Sequence, residues 1–411
     1  MADAKSATCV IAGGGPAGLM CGYLLARSGV STIVLEKHGD FLRDFRGDTI
    51  HPSTLELMHE LGLLERFLSL PHQDVRYAEA DIANTRVRIA DFGHLPVKHP
   101  CLVFMPQWDF LDFLANEAKK FRNFELLMNT EALSLISEKG RTAGVRVRDE
   151  QGEREIRAGA LVIAADGRDS RLRADGGLTV KPLGAPMDVM WFKLDHREGE
   201  DASVLGRIES GQALIMLYRG SYWQCALIIR KGTAEHVKSE GLDAFRKRVA
   251  KIAGRDDLEE LKSWDDVKLL TVRVDRLDQW YKPGLLFIGD AAHAMSPIGG
   301  VGINLAVQDA VAGANMLGGP LRAGHVGDLD LARFQRRRAF PTWVTQQLQI
   351  TIQNRIIDPI LSGATPRVIW PLKLMQSFPW LQRLPARIIG LGVRPEHIQS
   401  LNDQGETPML P

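Results

Sequence analysis

The stretch "TCVIAGGGPAGLMCGYLLARSGVSTIVLEK", residues 8–37, limits what this chain can fold into more than any other. Thr8 to Ala12 is a short apolar run, the pattern of a strand buried on both faces. Gly13, Gly15 and Gly18 follow at G-x-G-x-x-G spacing, Pro16 and Ala17 open a helix, and Gly29 suits its end. Thr32 to Leu35 reads as a second buried strand, closed by Glu36 and Lys37. Gly13 permits the tight turn, Gly15 lets backbone approach a pyrophosphate, and Gly18 lets helix and sheet pack closely. The helix N-terminus offers free N–H groups and a positive dipole end to phosphate. Glu36 can accept from ribose hydroxyls and would repel a 2′-phosphate, so the adenosine is expected to be unphosphorylated. The alternative, a bare glycine-rich turn, leaves the strand, helix and acidic strand end unexplained. The motif alone does not separate FAD from NAD.

Two later segments end on the same kind of edge. In "GALVIAADGRDSRLR", residues 159–173, Ala160 to Ala165 reads as a buried strand followed by Asp166–Gly167, then Ser170 and Arg173. A plain strand–turn–helix with Asp166 and Ser170 as caps accounts for it equally well. In "IGDAAHAMSPIGGVGIN", residues 288–304, the apolar run from Leu285 to Ile288 ends at Gly289–Asp290. An irregular segment from His293 to Gly300 holds Pro297, Gly299 and Gly300, and a helix starts near Gly302. Asp290 can bind sugar or ribityl hydroxyls. The glycines leave room for a flat ring, and the helix N-terminus can stabilise negative charge on a reduced flavin.

With these three motifs in this order, the chain resembles the single-component (class A) FAD-dependent aromatic monooxygenases of the p-hydroxybenzoate hydroxylase-like family. The resemblance implies an α/β fold: a Rossmann-like FAD-binding domain with a β-meander, a β-sheet substrate domain, and C-terminal helices. It implies FAD as cofactor, held by Gly13, Gly15, Pro16, Ala17, Gly18, Glu36, Lys37, Asp166, Asp290, Pro297, Gly299, Gly300, Gly302, Ile303 and Asn304. It adds Arg46, in "DFRGDTIHPS", and Gln107, in "MPQWDFLDFLANEA". A surface cation and a helix-end residue are the plainer readings of those two. The implied reaction uses NADH or NADPH and dioxygen to hydroxylate an apolar aromatic or quinone-like molecule through a flavin 4a-hydroperoxide. No catalytic acid or base stands out. His51, Tyr218, His293 and Arg207 are candidates; a surface or capping position is the plainer expectation for His51, and the resemblance implies a structural or flavin-proximal role for His293.

The expected division is 1–75, 98–180 and 270–325 for the FAD-binding domain, 76–97 and 181–269 for the substrate domain, and 326–411 for the helical region. Val145 and Val147 alternate with Arg146 and Arg148, and "DEQG" reads as a turn, giving a meander with one wet face. "MDVMWFKLDHR" and "QALIMLYRGSYWQCALIIRKG" are β-rich, with "RGS" as a hairpin turn. Trp191, Phe192, Tyr218, Tyr222 and Trp223 are pocket candidates, although alternation sends only about half of a strand to one face. Met190, Phe192 and Leu194 are expected on one face, Met216 and Tyr218 on another. The tail mixes apolar residues with Arg and Lys. It reads either as helices packed on the FAD domain or as a basic amphipathic surface that meets membrane or a greasy substrate. Prolines 366, 371, 379 and 385 keep helices there short.

Composition narrows the rest. Net charge is +1, which gives no basic excess for a nucleic-acid partner. Cys9, Cys21, Cys101 and Cys225 form no CxxC and no zinc spacing, so no metal and no redox disulfide are expected. Neither a signal peptide nor an apolar run of about 18–20 residues is present, so a cytoplasmic protein, monomer or homodimer, is expected. Two rival functions remain at this level: an FAD-dependent reductase or dehydrogenase of a lipid or polyketide without oxygen transfer, and a non-catalytic FAD-binding sensor or partner module.

Overall fold

In the computed structural model, residues 5–42, 49–201 and 204–399 are described. The apolar run expected from Thr8 to Ala12 extends back to Lys5 as strand β1 (Lys5–Ala12). Helix α1 (Pro16–Arg27) starts at the proline, and Gly29 just past its end takes a φ of 82°, the left-handed position that favours glycine. Strand β2 (Thr32–Leu35) is wholly buried, as parallel strands covered on both faces must be. Helix α2 (Pro52–Glu60) and helix α3 (Gln107–Ala118) follow. Strand β3 (Gly152–Ala164) begins eight residues before the expected Ala160. Its first half pairs antiparallel with strand Arg141–Asp149, whereas its second half pairs parallel with β1, Cys9 opposite Leu161. One strand therefore belongs to both the meander and the parallel core.

Strands β4 (Met187–Asp195), β5 (Gln212–Tyr218) and β6 (Tyr222–Arg230) form an antiparallel set, with Arg219–Ser221 as the hairpin turn. Helix α4 (Leu242–Ala253) follows. Strand β7 (Leu285–Phe287) returns to the first sheet, and helix α5 (Gly302–Arg322) lies against α1. Helix α6 (Asp328–Ile352) runs through Pro341, and two eight-residue helices, α7 (Trp370–Ser377) and α8 (Arg383–Gly390), end the described chain.

Two large sheets result. The first orders Tyr281–Lys282, β7, β3, β1, β2 and Phe124–Leu127, with the meander strands joined to β3. The second orders Lys268–Leu270, β4, β6, β5, Val204–Glu209, Tyr77–Ile82 and Thr85–Asp91. Direct antiparallel partners share a face. Phe192 thus lies with Cys225 and Met216, and Leu194 with Trp223 and Tyr218, on the side covered by α4. The two apolar sets expected on different faces form one layer under that helix. The opposite face carries Trp191, Ala226 and Ile215 in one row and Gln224 and Leu217 in the next. It packs against Ile298, Phe104 and Leu391. Among the described residues no helix is long and apolar enough to cross a membrane.

Candidate functional site at the carboxyl edge of the parallel sheet

The turn after β1 is shaped by what its glycines exclude. Gly13 has a φ of +110°, and a β-carbon there would run into the Ala165 carbonyl. A β-carbon on Gly18 would meet the Gly13 carbonyl, so this residue sets the closeness of α1 to the sheet. Gly15 is different: a β-carbon would touch nothing, because the space before α1 is open. Gly15 caps α1 without a side-chain hydrogen bond, and Pro16, at the first helical position, has no N–H to satisfy. Ala17 is buried behind it. Glu36 is nearly buried, its carboxylate accepting from Gly14 N and His38 N, both at 3.1 Å, while Lys37 is exposed.

The segment after β3 has the capping contacts that the plainer reading anticipates. Ser170 Oγ accepts from Arg173 N at 3.0 Å, and Asp166 Oδ2 from Leu172 N at 3.2 Å. Asp166 Oδ1 is buried with no hydrogen-bond partner among the described residues. Burial pushes its carboxyl above the ordinary aspartate range, against the opposing hydrogen bond from Ser170. Arg173 reaches the Ala291 carbonyl at 2.9 Å and the Arg168 carbonyl at 2.7 Å. Arg168 in turn pairs with Asp290 at 3.0 Å. Two segments more than a hundred residues apart are thereby joined along one sheet edge.

The loop after β7 is held from behind by a buried charge network. Asp309, on α5 and fully buried, accepts from Gly289 N at 3.0 Å, His293 Nε2 at 2.6 Å and Arg338 Nε at 2.9 Å. Arg338 also reaches Glu396, 3.3 Å away. Burial alone would push the Asp309 carboxyl up, but His293 and Arg338 hold it below the ordinary range. His293 therefore sits in a structural pair, and its ring lies tilted against Trp280, with ring centres 4.8 Å apart. Pro297 precedes the turn Ile298–Gly300, where Gly299 and Gly300 have φ of 77° and 63°. Gly302 opens α5 with no side-chain cap and nothing near its missing β-carbon. Ile303 is buried, and Asn304 Oδ1 accepts from Ser53 Oγ at 2.6 Å and Thr54 Oγ1 at 3.0 Å.

His51 does precede a helix, α2, but it is neither a surface residue nor a side-chain cap. Its ring is fully buried, with Nδ1 2.8 Å from the Ile389 carbonyl and Nε2 3.0 Å from the Gly300 carbonyl. The first partner comes from the C-terminal helix α8, which no local pattern around His51 could announce. Burial lowers its pKa, and the facing carbonyls oppose that only in part.

The structure does not bring Tyr218 or Arg207 to this edge. Tyr218 clusters with His196 and Trp223 on the α4 side of the second sheet. Arg207, opposite Leu214 on that same side, donates to the Ala253 carbonyl. Of the five aromatic pocket candidates, strand register puts Trp191 and Tyr222 on the opposite face, where Trp191 packs with Val189, Ala226, Val272 and Leu270. There Trp191 Nε1 and Gln224 Nε2 are buried N–H groups with no partner among the described residues, and Gln224 is 4% exposed. Gln107 is the first residue of α3 and half-buried. Arg46 lies outside the described residues. Away from the glycine loops, Asp74, His99 and Cys101 gather within ligand reach of one another, His99 Nε2 lying 2.8 Å from Asp74.

Asp309, Arg338, Arg168 and Gln224 escaped sequence reasoning. For Asp309 a signal existed: it is a lone carboxylate inside the apolar helix "GINLAVQDAVAGANML".

Comparison with known proteins agrees with this geometry. A family model described as the FAD binding domain matches residues 6–347. A 6-methylpretetramide 4-monooxygenase from Streptomyces rimosus is 30% identical over 367 residues, covering 87% of this chain and 85% of that protein. A pentachlorophenol 4-monooxygenase from Sphingobium chlorophenolicum is 26% identical, covering 75% of this chain and 57% of that protein. Several other relatives are likewise matched over less than two thirds of their length, from 59% to 65%. Among solved structures, OxyS anhydrotetracycline hydroxylase from Streptomyces rimosus superposes with a TM-score of 0.75 at 24% identity, covering 95% of this chain and 77% of that one.

Proposed function

The chain belongs to the FAD binding domain family, as an FAD-dependent oxidoreductase of the monooxygenase kind, and from that premise we propose that it hydroxylates an apolar, oxygen-bearing aromatic or quinone-like molecule. The observation that carries the substrate reading is the second sheet's inner face. It is apolar through Ala213, Ile215, Leu217, Ala226 and Ile228, yet it holds two buried donors unpaired among the described residues, Trp191 Nε1 and Gln224 Nε2. A buried N–H without an acceptor is unfavourable by about 1–3 kcal/mol, and a substrate carbonyl or phenol oxygen relieves that. A ring system fills the apolar remainder.

The residues present fit FAD. The open space at Gly15 and the uncapped start of α1 suit a pyrophosphate. Glu36 closes β2 with its carboxylate beside the Gly14 amide, where a ribose next to the pyrophosphate would lie. The orphaned Asp166 Oδ1 and the half-buried Asp290 are acceptors for hydroxyls of the cofactor chain. Gly299, Gly300 and the uncapped start of α5 leave bare backbone for the flat ring, with Asn304 oriented by Ser53 and Thr54. When bound, FAD supplies the redox chemistry, taking reducing equivalents from NADH or NADPH and passing one atom of dioxygen to the substrate.

The protein's part is position and dryness. Asp309 fixes the Gly289 amide, and Arg173 and Arg168 fix the Asp290 segment against the Asp166 turn. Ile298 packs against the apolar sheet face and keeps water from it. Trp191 and Gln224 orient the substrate oxygen so that one ring edge is presented for attack. A cytoplasmic location, where nicotinamide cofactors are held reduced, accords with this reading.

The test is anaerobic reduction of the holoenzyme by NADH and by NADPH across a panel of phenolic and quinone-like ligands, followed by turnover in isotopically labelled dioxygen. Faster flavin bleaching with an oxygen-bearing ligand and one labelled atom in the product are expected. An unlabelled product would refute oxygen transfer and favour a reductase. Flavin that no ligand renders reducible would favour a non-catalytic binding module.

A further inference from the structure

The two short C-terminal helices leave a face that nothing among the described residues covers. On α7, Trp370 and Leu374 are followed at the same interval by Phe378, so the three form one ridge. Trp380, Leu384 and Ile388 repeat that interval through the turn Pro379–Gln382 and α8. All six side chains are exposed, Trp370 by 74% and Trp380 by 60%. The other sides of these helices are already packed: Leu372 lies against Ala80, Ile82 and Val87, and Ala386 against Phe92 and Leu391. The ridges are therefore not a core face turned the wrong way.

Charge says what covers them. From residue 359 to residue 395 the chain has no Asp or Glu, but it has Arg367, Lys373, Arg383, Arg387 and Arg394. The first four are exposed and take part in no ion pair among the described residues. Two copies of this face brought together would oppose cation with cation, with no carboxylate to neutralise either. A neutral apolar ligand would gain nothing from the cations. Exposed Trp and Phe beside unpaired Lys and Arg are what an anionic bilayer surface takes up: rings at the headgroup level, cations at the phosphates.

We propose that the α7–α8 face docks the protein peripherally on membranes rich in anionic phospholipid. The surface lies one helix from the flavin edge, because the Ile389 carbonyl of α8 faces His51, whose other nitrogen faces Gly300. An apolar cavity lined by Ile298, Gly299, Leu348, Ile352 and Ile388 opens beside the second ridge. A substrate dissolved in the bilayer thus meets the protein next to the loop that holds the flavin ring.

The experiment is flotation of the FAD-loaded, full-length protein with vesicles of phosphatidylglycerol in phosphatidylcholine, against vesicles of phosphatidylcholine alone, at low and high salt. Binding to the anionic vesicles only, weakening with salt, is expected. Each neutralised cation is expected to weaken it roughly fivefold, so Lys373→Gln with Arg383→Gln and Arg387→Gln together weaken it about a hundredfold. Trp370→Ser with Trp380→Ser should remove the remaining binding with FAD content unchanged. Leu329→Ser, equally exposed but outside the patch, should leave flotation as it is. No flotation with anionic vesicles at low salt overturns the proposal. So does flotation that neither set of substitutions alters. A dimer in analytical ultracentrifugation that the tryptophan substitutions dissociate also overturns it, by showing that a second copy covers the face.

Discussion

Replacing Asp309 with alanine tests whether the flavin loop is held from behind. The carboxylate is fully buried and takes three donors: Gly289 N, His293 Nε2 and Arg338 Nε. Removing one partner of a buried ion pair costs about 3–5 kcal/mol, and the lower end applies because Arg338 keeps Glu396. The stranded Gly289 amide adds about 1 kcal/mol. For 411 residues the unfolding entropy is about 0.9 kcal/mol per kelvin, so about 4 kcal/mol lowers the melting temperature by about 4–5 °C. Flavin retention should fall with it, because Gly289 precedes Asp290. Adding Arg338→Met removes the stranded cation and should restore part of the loss, a coupling of about 1–3 kcal/mol. The pH dependence has a definite sign. The folded carboxyl titrates below its unfolded value of about 3.9, so its stabilisation is complete above that pH and lost as pH falls through the folded value. Wild type and variant should therefore differ by a constant amount at neutral pH and converge only in acid. Calorimetry and flavin absorbance after desalting measure both effects. A variant that melts within a degree of wild type and stays fully yellow, or a double variant whose losses simply add, would refute the reasoning.

Asp290→Ala should weaken FAD retention on gel filtration and release Arg168 from its ion pair; full flavin occupancy after the column would count against a cofactor role. Gln224→Leu should raise the dissociation constant of a keto or phenolic ligand roughly tenfold, the worth of one buried hydrogen bond, and leave an unsubstituted ring of the same size unaffected. Equal losses for both ligands in a titration of flavin absorbance would mean that Gln224 only shapes the pocket. His51 has a folded pKa below its unfolded value of about 6.5, so its contribution is present above that pH and lost as pH falls toward the folded value. His51→Gln cannot titrate, and the fall in melting temperature of the wild type just below pH 6.5 should flatten in the variant; parallel curves would remove His51 as the titrating group.

What was legible in the sequence is what a single backbone position demands. Gly13 and Gly18 answer to carbonyls within a few ångströms, and no other residue fits there, so the letters themselves announce the turn. Strand β2 and the start of α5 were equally legible, because burial on both faces and a run of small residues leave few alternatives. Distant pairing was hidden. Asp309 acquires its meaning from Gly289, Arg338 and, through Arg338, Glu396, and His51 from a carbonyl 338 residues away. Alternation foretold that the aromatic candidates would divide between two faces, but not which would fall on each, because that depends on the register of β4 against β6.

The same register ties the substrate reading to the sheet rather than to any motif. A shift of one residue in β6 would send Gln224 under α4 and bring Cys225 and Trp223 to the opposite face. That shift is opposed by the whole layer beneath α4, where Phe192, Phe245 and Trp223 are fully or nearly buried. The helix-side core is thus what holds two N–H donors, unpaired among the described residues, on the face turned away from α4. Substitutions there should alter ligand selectivity before they alter FAD binding, since the glycine loops belong to the other sheet.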